Sequence, residues 1–114
     1  MRILNDLITK KELLLIAKNS FGDLVKAVVD VDREIVAIDA ELHSDLEALC
    51  LENGSLQNSL WGINYYPEME GEDFIEFDSM INLRPSIGNI SRGIKDEKIR
   101  KKIVKISYKW IKNT

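Results

Sequence analysis

Cysteine and histidine are scarce in this sequence, with one of each, and each scarcity excludes something. One cysteine, Cys50, among 114 residues cannot form an intramolecular disulfide, and a lone thiolate cannot make a structural zinc site. It sits in Leu49-Cys50-Leu51, the setting of a buried, inert thiol and not of a nucleophile. A reducing cytoplasm is the expected compartment. The single histidine, His43, leaves only carboxylates to complete a metal site. No metal and no cofactor is therefore expected, and folding should need neither. No run approaches the roughly 18 apolar residues of a membrane span. Met1-Arg2-Ile3-Leu4-Asn5-Asp6 leads to Lys10-Lys11 without an apolar core, so neither a signal peptide nor a membrane partner is expected. With 45% hydrophobic and 31% charged residues, the chain reads as one globular domain, residues 1–114, able to bury a core unaided.

Bases are missing from the middle of the chain. Ala27 to Leu83 carries fourteen acids and one base, Arg33, whereas Arg84 to Thr114 carries ten bases and two acids, Asp96 and Glu97. One reading is intramolecular compensation between an acidic sheet and a basic helix. The other is a basic surface for phosphate or nucleic acid. The pI near 5.2 favours the first and makes nucleic acid the weaker candidate partner.

The pattern predicts an α+β fold in the order α-β-β-α-β-β-α. Its four strands form a single antiparallel sheet of two hairpins, with helices on one face. Thr9-Lys10-Lys11-Glu12 fits a capping box, Ile8 and Leu13 a hydrophobic staple, and Gly22 a stop, which places a helix from Lys10 to Phe21. Leu24–Val31 and Ile35–Leu42 form the first hairpin around Asp32-Arg33. Ser44-Asp45-Leu46-Glu47 is a second capping box, and residues 45–52 read as a short helix, with a strand left open. Leu60–Tyr66 and Phe74–Arg84 make the second hairpin, each closed by a proline. In the latter, Ile75, Phe77, Ile81 and Leu83 alternate against Glu76, Asp78, Met80, Asn82 and Arg84. A polar loop, Ser86–Lys95, leads to a final helix capped by Asp96, with Ile99, Ile103, Ile106 and Trp110 as its apolar stripe.

Several stretches resemble one another's counterparts in a known family. They are Glu41-Leu42-His43-Ser44-Asp45, Leu51-Glu52-Asn53-Gly54-Ser55, Leu60-Trp61-Gly62-Ile63-Asn64, the run from Ile75 to Ser86, and Gly88-Asn89-Ile90-Ser91-Arg92-Gly93-Ile94. From about Phe21 onward the chain is similar to a prokaryotic family known only as a domain of unknown function. The resemblance implies no activity. Asp39 stands where that pattern carries a small residue, which weakens any site built on Asp39.

Two constellations carry chemistry. Asp39, Glu41 and His43 alternate on one strand face, about 7 Å apart pair by pair, a spacing that sets an acid beside a base. Against this stands a plain solvated sheet face. Arg84, Ser86, Asn89, Ser91 and Arg92 combine guanidinium groups, hydroxyls and an amide with Gly88 and Gly93, the groups a small anion needs. Against this stands a loop held by its own side-chain bonds. Trp61 and Tyr65 share a face with Ile63 and read as core, leaving Tyr66 as the better candidate for an exposed ring.

Three functions follow. The first is a binding module for a phosphate, nucleotide or carboxylate at the Arg84–Arg92 loop, Arg84 serving stability more and Arg92 binding more. The second is a small hydrolase of a phosphodiester or nucleotide, with catalytic His43 and Glu41 and the two arginines as clamps. The third is a subunit acting by interaction alone, self-association included.

Overall fold

The computed structural model describes residues 1–113. Its central strand, β3 (Val25–Asp30), is rich in β-branched residues and almost wholly buried, as expected of a strand covered on both faces. It pairs antiparallel with β4 (Ile35–Ile38) on one side and β5 (Leu60–Tyr65) on the other. The β3–β4 turn is tied by Asp30, whose Oδ1 accepts from the Asp32 and Arg33 amides, each at 2.9 Å. Outside these lie β1 (Arg2–Ile3), paired with β4, and β6 (Ile75–Glu76), paired with β5.

The sheet is therefore five-stranded and antiparallel, in the order β1-β4-β3-β5-β6. The expectation of four strands in two hairpins is corrected in two places. Arg2–Ile3 adds an edge strand. The long strand expected over Phe74–Arg84 keeps only Ile75–Glu76 and then breaks into 3₁₀ turns at Met80–Asn82 and Pro85–Ile87. Alternation misleads there because Ile81 packs on one face of the sheet and Phe77 on the other, while Leu83 is exposed.

Three helices cover the sheet, and not from one side as expected. The first, α1 (Lys10–Lys18), begins as its capping box predicts: the Glu12 amide donates to Thr9 Oγ1 at 3.1 Å. Ile8 and Leu13 are both buried. The helix stops at Lys18, short of the expected Phe21, with Asn19 as its C-cap; the left-handed Gly22 follows and returns its N–H to the Ala17 carbonyl. The last, α3 (Glu97–Trp110), starts where Asp96 Oδ1 accepts from the Lys98 amide at 2.8 Å. Both lie on the face carrying Val25, Ala27, Val29, Val36, Ile38 and Ile63. Each fully buried Leu or Ile there, such as Leu13 or Ile103, contributes about 1.5–3 kcal/mol. Tyr65 joins sheet to helix through a 2.7 Å hydrogen bond between its hydroxyl and that of Ser107.

The middle helix, α2 (His43–Glu52), covers the opposite face, where Leu46 and Cys50 meet Val28, Ala37 and Leu60. Successive strand residues point to opposite faces, so an almost wholly buried β3 needs cover on both. Residues 45–52 are thus helical. The helix starts two residues early and without a side-chain cap, so the Ser44 capping box is not used. A short parallel pair, β2 (Ile8–Thr9) and β7 (Ile111–Lys112), joins the entry of α1 to the exit of α3. The order therefore begins and ends with strands absent from the expected α-β-β-α-β-β-α.

Candidate functional site

The site residues sort themselves along the outer edge of β5. Leu60, Gly62 and Asn64 recur at period two, so their backbone groups point to the same edge. Asn64 meets β6 in register with Glu76. At Gly62 the strand partner is a side chain: Asn82 Oδ1 accepts from the Gly62 N–H at 2.8 Å, and Asn82 Nδ2 donates to the Gly62 carbonyl at 2.9 Å. A primary amide has the donor and acceptor of a peptide, and here it takes a peptide's place in the ladder. The approach requires glycine, since a Cβ at position 62 would stand 2.5 Å from the Ser79 Cβ. At Leu60 the carbonyl accepts from Arg84 Nη2 at 2.5 Å.

Asn89 ties the following loop. Its Nδ2 donates to the carbonyls of Asn82, Gly93 and Ser91 at 2.6, 2.8 and 3.2 Å, and its Oδ1 accepts from the Lys95 amide. Ser91 Oγ accepts from the Gly93 amide. Ser86 is exposed in a 3₁₀ turn. Arg92, exposed, donates to Asp78 from Nε and Nη2, one edge of its guanidinium, at 2.7 and 3.3 Å. Of the five residues expected to bind an anion, Asn89 and Ser91 thus build the loop and Arg92 is held by an acid.

Arg84 points inward and is only 9% exposed. Besides Leu60 it reaches Glu47 of α2 at 3.4 Å, and its guanidinium carbon lies 5.0 Å from the centre of the Trp61 ring. Burial lowers its pKa, with Glu47 opposing, and arginine remains charged in such a setting. Its Nη1 is buried without an acceptor in the protein, and so is Trp61 Nε1. Trp61 borders a cleft of about 430 Å³, between the loop and the start of α3. Ile87, Gly88 and Asn89 line one side of it, Lys95, Asp96 and Ile99 the other. Trp61, Lys95 and Asp96 are functional candidates that sequence reasoning missed. Trp61 reads as core from its alternation, and only a partner's absence in three dimensions marks its N–H. A larger hollow of about 700 Å³ lies between β6 and α3. Its lining cations are already engaged, Lys101 with Glu97 and Arg100 with the Ile94 and Lys95 carbonyls.

His43 lies elsewhere. The expected strand face of Asp39, Glu41 and His43 does not form, because β4 ends at Ile38 and Asp39 turns the chain at a φ of 72°. Glu41 is exposed in a bend. His43 opens α2, buried, and its Nε2 donates to the Ile63 carbonyl at 2.7 Å. Burial lowers its pKa, the Ile63 bond opposes this, and the charges that bear on it are Lys26, Asp78 and Arg92, with Glu41 not among them. Beside it runs a polar row in which Asn64 Nδ2 and the Tyr66 hydroxyl both donate to Glu76 Oε1. Cys50 is buried, and burial pushes its thiol up to about 11. Among the described residues, no group of three or more histidine, cysteine or acidic side chains converges to hold a metal, and no helix is long and apolar enough to cross a membrane.

A family model described as a protein of unknown function, DUF5674, matches residues 2–110. The chain belongs to this family. No curated protein and no solved structure matches it. The long run quoted above for its resemblance, Ile75 to Ser86, coincides in this DUF5674 chain with the side chains that close the β5 edge. Chemically, a partly apolar cleft is lined by one residue with an unpartnered buried N–H, Trp61, and by one cation, Lys95; the Arg84 guanidinium, stacked on the Trp61 ring, is not part of the lining, and the Nε2 proton of His43 is already committed.

Proposed function

We propose that this chain is a binding module for a small ligand rich in hydrogen-bond acceptors, a carboxylate or a phosphate, seated between the Arg84–Arg92 loop and the start of α3. One observation carries the reading. Trp61 Nε1 and Arg84 Nη1 are buried donors with no acceptor in the protein, on groups stacked 5.0 Å apart. Trp61, only 3% exposed, borders the cleft. A buried donor left unmade costs about 1–3 kcal/mol, and a ligand acceptor removes that cost. Lys95 adds a cation on the cleft wall. Arg92, held by Asp78, shapes the loop's outer side, with Asn89 and Ser91 forming its frame.

Nuclear magnetic resonance tests this directly, because the two indoles differ. Trp110 Nε1 already donates to the Glu34 carbonyl at 2.9 Å and serves as the internal reference. Titrating inorganic phosphate, a nucleoside monophosphate or acetate at low salt should move the Trp61 indole N–H signal and leave that of Trp110 in place. Lys95→Met should weaken the response. If the Trp61 signal moves for none of these nor for an amino acid, the reading is wrong. The hydrolase reading lacks comparable support, since Glu41 and His43 make no pair.

A further inference from the structure

We infer that the ligand of this cleft is a small zwitterion with an apolar side chain, the chemistry of a free α-amino acid; this rests on the cleft being the binding site as read above. A site built for a phosphate gathers positive charge. This cleft does not. Its one lining cation, Lys95, is followed at once by a lining acid, Asp96. Asp96 caps α3 through Oδ1, and Glu97 follows in the first turn. The positive end of that helix is therefore already met by acidic groups. A dianion placed here would face the Asp96 carboxylate at close quarters.

Lys95 and Asp96 are both exposed, and among the described residues neither is in an ion pair. Two unpaired charges of opposite sign on one wall match a ligand that carries both signs a few bonds apart. The carboxylate would take the Trp61 N–H and the Lys95 ammonium. The ammonium would take the Asp96 oxygen that the cap leaves over. Ile87 and Ile99 supply the apolar wall for a side chain. The volume lies within the range of small-molecule sites.

The experiment uses the same indole signal with three probes that share the isobutyl side chain. They are L-leucine, 4-methylpentanoate, which has the same six carbons and lacks the ammonium, and 3-methylbutylamine, which lacks the carboxylate together with its carbon. Leucine should move the Trp61 signal, 4-methylpentanoate should bind at least about tenfold more weakly, a difference of about 1.4 kcal/mol, and the amine should leave the signal in place. Asp96→Asn keeps a good helix cap and should reduce leucine to the affinity of 4-methylpentanoate. Equal binding of leucine and 4-methylpentanoate to the wild type overturns the zwitterion and leaves the cleft standing. So does leucine affinity unchanged in D96N, or phosphate binding without leucine binding. No response to leucine, acetate, 4-methylpentanoate or phosphate overturns both.

Discussion

The two edges of β5 are held by different means. Toward β3 it makes six register pairs, from Val25 opposite Tyr65 to Asp30 opposite Leu60. Toward β6 it makes two, and the edge then passes to the amide of Asn82 and the guanidinium of Arg84. A backbone ladder accepts any residue that fits a pleated, half-buried surface. A ladder finished by side chains accepts only the residue types whose donors and acceptors match. The same strand is thus tolerant along one edge and demanding along the other.

The largest effect should come from Asn82→Ala. It orphans the Gly62 N–H and carbonyl and removes the bond from Asn82 Nδ2 to the Arg92 carbonyl. The expected loss is about 3 kcal/mol, a drop in Tm of about 10 °C. Lys26→Thr, on the ladder side in register with Asn64, is the control and should stay within about 0.5 kcal/mol. Equal losses in the two variants would erase the contrast between the edges.

Arg84→Ala should follow, at about 2 kcal/mol, from the unpaired Leu60 carbonyl and Glu47 carboxylate. The loss is smaller than for Asn82 because the substitution also removes an unpartnered Nη1. Chemical denaturation of the two variants side by side checks the order.

His43 sharpens the comparison through pH. Its pKa is depressed in the fold from 6.5, so the unfolded chain binds the proton more readily. This contribution is complete above about pH 6.5 and is lost as pH falls through the lower folded value. Between about pH 8 and pH 5, wild type should therefore lose more stability than His43→Gln, as followed by thermal melts. A parallel decline in both proteins would remove His43 from the account. Apart from the Lys26 control, the smallest effect belongs to Arg92→Ala, under about 1 kcal/mol, since its pair with Asp78 is exposed. A loss as large as that of Arg84 would deny the difference between the two arginines.

These contrasts also explain what was legible in the sequence. Thr9 and Asp96 announce the helices they cap because capping is a local interaction, settled within three residues. The β3–β4 hairpin was readable from its β-branched run. Phe74–Arg84 was not, because its alternation of apolar residues continues through a segment whose hydrogen bonds leave the ladder. No local pattern distinguishes an Asn82 that faces solvent from one that substitutes for a strand. Likewise Asp39, Glu41 and His43 alternate as letters, but the left-handed turn at Asp39 lies beyond the end of the strand, leaving Glu41 in a bend and His43 at the start of a helix. Arg84 and Arg92 look alike as letters. Their burial, 9% against 55% exposure, is decided by long-range packing.

The parallel contact between Ile8 and Ile111 has a bearing on how the chain folds. The two residues are both buried and lie about a hundred positions apart in the sequence. Closing so long a loop carries an entropic cost that local contacts do not repay. The sheet and its helices can therefore gather before this clasp shuts, and its amides should be among the last to acquire protection during refolding. A ribosome-bound chain that has not yet released Ile111 would hold α1 capped but only half anchored, with Ile8 still open to solvent.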